Sequence, residues 1–133
     1  MKIAKMVIYW LATAIVLLLL GYAAYFYFSA YSVAAAYFEN LGYPTYIVYP
    51  LATLKIIAAV VIVTHRYNDL RDMAYAAYFI NMIMALVAHQ LAGDDITHAV
   101  VGAVCVVISY LLGNQVRGRP SRNLFGFATE QHK

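Results

Sequence analysis

The stretch MVIYWLATAIVLLLLGYAAYFYF, residues 6–28, decides the fold class of this chain. It contains no charged residue. As a helix rising about 1.5 Å per residue, it is long enough to cross a hydrocarbon core of about 30 Å. Three further apolar runs follow, at residues 46–64, 74–91 and 97–113. The sequence therefore predicts an all-α integral membrane protein built as a four-helix bundle.

The composition of the whole chain agrees with this prediction. Of its 133 residues, 65% are hydrophobic and 11% are charged, whereas soluble domains carry about 25% charged residues. The mean hydropathy is +0.72. The net charge of +3 does not indicate a nucleic-acid partner, because the basic residues lie at the ends of the apolar runs. The single cysteine, Cys105, excludes an intramolecular disulfide and a zinc site built from cysteines.

Eight of the nine lysine and arginine residues are predicted to lie at one end of the bundle: Lys2, Lys5, Arg66, Arg71, Arg117, Arg119, Arg122 and Lys133. The connections at the other end, residues 29–45 and 92–96, contain acidic residues but no lysine or arginine. Because cytoplasmic loops retain lysine and arginine, we expect cytoplasmic N and C termini in a bacterial-type inner membrane. Residues 1–113 are predicted to form the transmembrane domain and residues 114–133 a basic cytoplasmic tail.

Lys55 is the most informative polar residue, because it interrupts the second apolar run. A lysine within the membrane costs about 2.5 to 3.5 kcal/mol on insertion scales and marks a functional site by default. Its depth places it in the outer half of the membrane, where its side chain can extend toward His89. We predict Glu39 as its carboxylate partner, provided that residues 32–40 fold back as a helix. The alternative is that Lys55 only ties two helices together and His89 bonds a backbone carbonyl.

Tyrosine is unusually frequent near the first outer connection, at Tyr22, Tyr25, Tyr27, Tyr31, Tyr37, Tyr43, Tyr46 and Tyr49. Interfacial belts commonly contain such rings. The alternative is an outer vestibule lined by aromatic side chains that admits an amphipathic ligand. The candidate ligand-binding residues are therefore Lys55, His89, Glu39, Tyr43, Tyr46 and Asp94.

The remaining polar residues of the spans are assigned to helix packing or to no site. Asn81 and Ser109 share helix faces with small residues and are predicted to pack between helices. His89, Asp94, Asp95 and His98 lie near the same end, but their spacing matches no closed metal motif. The sequence therefore predicts no metal site.

Three segments resemble the DoxX-like family of small four-helix membrane proteins: ENLGYP at residues 39–44, PLATLK at 50–55 and AHQLAGD at 88–94. The resemblance covers residues 6–112. The family is named after a small subunit of a quinone-linked oxidase or thiosulfate oxidoreductase, and relatives include membrane chaperone and cargo-handling proteins. By position, the resemblance implies that Glu39, Tyr43, Pro44, Lys55, His89 and Asp94 are the family's characteristic residues.

The expected function follows from these features together. The sequence contains no phosphate-binding loop and no nucleophile with a base and an orienting partner, so independent catalysis is not expected. We predict an auxiliary subunit, without an intrinsic cofactor, that binds a quinone-like or other amphipathic molecule for a redox partner. An assembly factor for client membrane proteins is the main alternative, followed by a small transporter. The expected partners are the lipid bilayer, a membrane redox or client protein, and a second copy of the chain.

Overall fold

The computed structural model describes residues 1–120 and 122, and most of these residues are helical, with short non-helical connections between the helices. Its helices are α1 (Lys2–Ser29), α2 (Tyr31–Asn40), α3 (Val48–Thr64), α4 (Asn68–Ala92) and α5 (Thr97–Arg117). A 3₁₀ turn, Thr45–Ile47, leads into α3. Within these described residues there is no strand, and the only β-type pairing is an isolated bridge between Tyr67 and Arg122.

Four of these helical segments are long and apolar enough to cross a membrane: α1, Thr45–Thr64, α4 and α5. Each contains one of the four predicted runs, so the prediction of an all-α chain with four such helices is confirmed. Three helices extend several residues beyond their apolar runs, and α1 already begins at Lys2. α4 begins at Asn68 and α5 continues to Arg117, because polar side chains at these ends pair with one another. The rest of the predicted tail, apart from residues 118–120 and Arg122, lies outside the described residues.

The four long helices pack in the cyclic order α1, α3, α4, α5, with each helix against its two neighbours. Small residues permit this packing, as expected for helices that lipid does not drive together. At Gly102, an added Cβ would lie 2.5 Å from the Met82 Sδ atom. Val16, Leu20 and Ile62 lie in the core between the helices.

The basic end of the bundle is the end where α1 and α4 begin and where α3 and α5 finish. Arg117 donates hydrogen bonds to the carbonyl oxygens of Ile62, at 3.1 Å, and Val63, at 2.8 Å. These carbonyls belong to the last turn of α3, where a cation is favourable. The Arg117 guanidinium also lies 5.4 Å from the ring centroid of Trp10. One arginine thus joins α1, α3 and α5.

A second arginine is buried at the same end. Arg71, only 2% exposed, donates to the Asp72 carboxylate at 2.9 Å and to the Asn68 amide oxygen at 3.2 Å. It also donates to the Asn114 side chain, and its guanidinium lies 5.5 Å from the centroid of Tyr110. Arg71 therefore has a paired charge and hydrogen-bond acceptors on all three guanidinium nitrogens.

At the opposite end of the bundle, α2 packs against α1 and α3 beside a cavity, and we call this the cavity end. α2 corresponds to the helix expected over residues 32–40, and it buries Ala34 and Ala35. Gly42 adopts a φ of +85°, a conformation that glycine adopts without steric cost. The turn at Gly42 directs the chain from α2 into α3, so that α2 forms one wall of a cavity.

Candidate functional site

A cavity of about 650 Å³ occupies the cavity end of the bundle, within the size range of ligand pockets, roughly 300 to 1,000 Å³. Helices α1 to α4 form its walls, and α5 contributes His98. Seven aromatic side chains line it: Tyr22, Phe26, Tyr27, Tyr37, Phe38, Tyr43 and Tyr78. We call it the aromatic cavity. Four tyrosines of the outer cluster, Tyr22, Tyr27, Tyr37 and Tyr43, line the cavity, as a vestibule requires, and the other four do not.

Lys55 lies in the wall of this cavity. On α3 it follows Ala52, which is fully buried, by one helical turn, and Lys55 itself is only 7% exposed. Its Nζ atom lies 5.6 Å from the ring centroid of Tyr78 and 6.0 Å from that of Tyr27, so both rings offer cation–π contacts. Among the described residues, no ion pair or hydrogen bond reaches the ammonium. The helix therefore presents a nearly buried cation to the cavity without a counter-charge.

Glu39 does not pair with Lys55, which corrects the expected ion pair. Although α2 forms as expected, it turns Ala34, Tyr37 and Phe38 toward the cavity and leaves Glu39 exposed to the outside. Tyr46 is also placed outside the site, since it is 77% exposed and does not line the cavity. The packing of α2 against α1 and α3 decides which side of this short helix faces inward.

Tyr43 is brought into the aromatic cavity. Its backbone N–H donates to the Phe38 carbonyl at 2.9 Å, which closes the turn that contains Gly42. The ring of Tyr43 lies 6.1 Å from that of Phe38 in an edge-to-face arrangement. The turn in the Leu-Gly-Tyr-Pro segment, residues 41–44, thus places the Tyr43 ring in the cavity wall.

His89 lies in the last turn of α4 and has three polar neighbours. Its Nδ1 atom lies 3.4 Å from the Tyr37 hydroxyl and 3.5 Å from an Asp94 carboxylate oxygen, and its ring lies 4.8 Å from that of His98. Gly93, with a φ of +75°, ends α4 and allows the Asp94 N–H to donate back to the His89 carbonyl. We call Tyr37, His89, Asp94 and His98 the histidine group.

The geometry of the histidine group limits its chemistry. Tyr37 and Asp94 both approach the same ring nitrogen of His89, so the three residues do not form a linear proton relay through both nitrogens. Burial, followed by the Asp94 carboxylate, raises the pKa of Tyr37. The Tyr37 hydroxyl therefore keeps its proton at neutral pH and acts as a hydrogen-bond donor.

Asp95 has a structural task next to this group. The backbone N–H and the hydroxyl of Thr97 both donate to its carboxylate, at 3.0 and 2.7 Å, and these bonds lower the pKa of Asp95. They fix the chain at the start of α5. Within the described residues, no three or more His, Cys, Asp or Glu side chains form a group that could hold a metal ion.

The two residues predicted to pack between helices are placed differently. Ser109 is fully buried between the hydroxyls of Thr13, at 2.6 Å, and Tyr75, at 2.7 Å. Asn81 instead lines the aromatic cavity, and no hydrogen bond within the described chain reaches its side chain. The structure therefore separates a satisfied hydroxyl cluster from an amide that faces open space.

Sequence reasoning missed Tyr78, one of the two rings beside Lys55. Tyr78 precedes Asn81 by one helical turn and shares its face, as residues three apart in a helix do. That spacing could have identified it. The proximity of Tyr78 to Lys55 depends on how α3 and α4 pack.

The family model of the DoxX-like family matches residues 11–112. The matched segment includes every residue of the aromatic cavity and of the histidine group. No curated protein and no solved structure matches the chain.

Proposed function

The chain belongs to the DoxX-like family, and from this premise we propose that it is an auxiliary membrane subunit that binds a quinone-like or other amphipathic molecule for a redox partner. The role assigned to this chain is to bind and orient the ligand in the aromatic cavity. The redox reaction itself is assigned to the partner protein.

One observation carries the proposal: the nearly buried ammonium of Lys55 faces a mostly apolar cavity and has no described counter-charge. A quinone carbonyl or another polar head accepts a hydrogen bond from this ammonium, while the flat or apolar part of the molecule lies against Tyr27 and Tyr78. Asn81 supplies a second donor and acceptor in the same wall. The lining thus combines a few polar groups with a large apolar surface, as ligand sites generally do.

Assembly of client membrane proteins is the less favoured function. Such a factor needs small-residue faces on its outside. The strongest candidate in the sequence is the alanine stripe of α4, which comprises Ala74, Ala77, Asn81, Ala85, Ala88 and Ala92. Ala74 and Ala88 of that stripe are buried, and Asn81 and Ala85 line the cavity. Most of the stripe therefore faces the inside of this molecule.

For localisation, we propose the inner membrane, with both termini in the cytoplasm. The support is the concentration of described basic residues at one end, including Lys2, Arg66 and Arg117. Reporters active on only one side of the membrane, fused after residue 133 and into the 92–96 connection, test this orientation. Cytoplasmic activity of the connection fusion, with an inactive C-terminal fusion, would overturn it.

The ligand is tested by mass spectrometry of organic extracts from protein purified in native lipid. We compare the wild type with Lys55→Met, and with Lys2→Met as a control that removes an exposed lysine at the opposite end. We expect an amphipathic molecule enriched in the wild type and in Lys2→Met and lost from Lys55→Met. Three identical extracts containing only bulk lipid would refute the proposal.

A further inference from the structure

We infer that the aromatic cavity selects an amphipathic anion, a molecule with one carboxylate-like head and an apolar body, and that the head binds at Lys55. This inference rests on the proposed function and narrows its ligand class. Its basis is the imbalance of charge and hydrogen-bonding groups in the cavity wall.

The charge in the cavity wall has one sign. Lys55 is the charged side chain of the lining, and no described aspartate or glutamate belongs to it. Asp94 approaches His89, and no described ion pair joins Asp94 to Lys55. A buried charge without a partner carries a desolvation penalty of several kcal/mol, which an opposite charge offsets. An anion therefore gains more at this site than a neutral molecule of the same shape.

The hydrogen-bonding groups around Lys55 also favour an acceptor. Lys55 has only donors, and the Tyr27 and Tyr78 hydroxyls and the Asn81 amide can all donate. In the described chain, none of these four side chains has a hydrogen-bond partner. Among the described residues, the Tyr9 hydroxyl is the only fully enclosed side-chain polar atom that has no hydrogen-bond partner. The polar atoms of the four side chains named above are therefore not fully enclosed. The donors therefore remain available to a molecule in the cavity.

A carboxylate head suits this set of donors. It has two oxygens that accept several hydrogen bonds, so Lys55 can bind one oxygen while Asn81 or Tyr78 binds the other. Asn81 lies one turn along α4 from Tyr78, whose ring is 5.6 Å from the Lys55 Nζ atom. A quinone carbonyl accepts hydrogen bonds here but leaves the lysine charge uncompensated. The charge, and not the ring, is thus the expected determinant of affinity.

The test measures binding of three probes to the full chain in non-ionic detergent by native mass spectrometry: dodecanoate, methyl dodecanoate and a decyl-substituted benzoquinone. We expect dodecanoate to bind at least about tenfold more tightly than its methyl ester, because only the carboxylate makes a charge-assisted hydrogen bond. This preference should disappear in Lys55→Met, persist in Lys55→Arg and be unchanged in Lys2→Met. The arginine variant retains the cation, so it also reports whether charge rather than local folding causes a loss.

The outcomes separate this inference from the proposed function. Tighter binding of the benzoquinone than of dodecanoate, dependent on Lys55, would overturn the anion preference and leave the proposed function intact. Equal binding of the carboxylate and its ester would also overturn the inference. Failure of all three probes to bind the wild type would overturn both.

Discussion

Among the described residues, one lysine and one arginine are buried, at opposite ends of the bundle, and their surroundings differ. At the basic end, Arg71 donates to one carboxylate and two amides and lies over an aromatic ring. At the cavity end, Lys55 faces two tyrosine rings and open space, without a described acceptor. Burial is similar, at 2% and 7% exposed. The comparison separates a cation that holds helices together from one that is available to a ligand.

The difference follows from what surrounds each side chain. Arg71 has a planar group with several donors in fixed directions, which suits a permanent set of oxygen acceptors. Lys55 has a compact charge on a flexible stem and lies beside a cavity rather than beside acceptors. Removal of the two cations should therefore affect different properties of the protein.

The largest expected effect on stability comes from Arg71→Met. It leaves the side chains of Asn68 and Asn114 without their donor, and we expect a loss of about 2 to 3 kcal/mol in unfolding free energy. Denaturation in non-ionic detergent measures this loss. Arg66→Met, which removes an exposed arginine near the same end, is the control. Equal stability of the two variants would mean that the Arg71 contacts do not hold the helices.

A smaller loss is expected from Ser109→Ala. The hydroxyls of Thr13 and Tyr75 both bond to Ser109 and would lose a buried partner, at a cost of about 1 to 2 kcal/mol. Asn81→Leu is the matched variant at the cavity end, and it should not reduce the unfolding free energy because no described hydrogen bond is lost. If Asn81→Leu proved the more destabilising of the two, the amide would have a structural role that contradicts its placement in the cavity wall.

Lys55→Met should leave the stability of the ligand-free protein unchanged or raise it, within about 1 kcal/mol, because the relief of the uncompensated charge is offset by loss of the cation–π contacts with Tyr27 and Tyr78. Thermal unfolding after delipidation measures this effect. In the presence of dodecanoate, the wild type should gain stability and the variant should not, as linkage requires. A large loss of stability in ligand-free Lys55→Met would assign Lys55 to the same structural class as Arg71.

The smallest expected effect is a pH dependence at the basic end. Burial lowers the pKa of His65 below its ordinary value of 6.5, although the His65 Nε2 atom donates to the Gly118 carbonyl at 2.6 Å. Because the unfolded state then binds the proton more tightly than the folded state, the neutral His65 ring contributes to the unfolding free energy. This contribution is complete above pH 6.5 and is lost as pH falls toward the lower folded-state pKa. Stability measured from pH 7.5 to 5 should decline less in His65→Asn than in the wild type. Asparagine tolerates the φ of +50° found at this position. Parallel pH profiles would contradict the role of His65.

The sequence predicted the long helices well because each apolar run must be long enough to cross the membrane as a helix. The run from Met6 to Phe28 required one helix, and the structure places it within α1. The sequence did not predict that α4 and α5 extend to Asn68 and Arg117. These ends depend on polar contacts between residues far apart in the chain, and no hydropathy pattern encodes such contacts.

The candidate site was predictable only in part. Lys55 was identified from the cost of a lysine within the membrane, and His89 and Tyr43 from their positions near the outer end of the bundle. The structure places all three in the cavity wall. Glu39, Tyr46 and Asp94 were assigned to the same site and do not line the cavity, although Asp94 approaches His89. Helical spacing shows which residues share a side of a helix, but it does not show which side a short helix such as α2 turns inward.

The sequence by itself determined that the chain is helical, has four long apolar helices and carries a costly lysine in one of them. The reason is that chain length, hydropathy and charge act locally, residue by residue. Only the tertiary structure decided that Lys55 lacks a described carboxylate partner, that Tyr27 and Tyr78 lie beside it, and that Arg71 pairs with Asp72. These properties depend on distances between side chains on different helices, which the packing of the bundle sets.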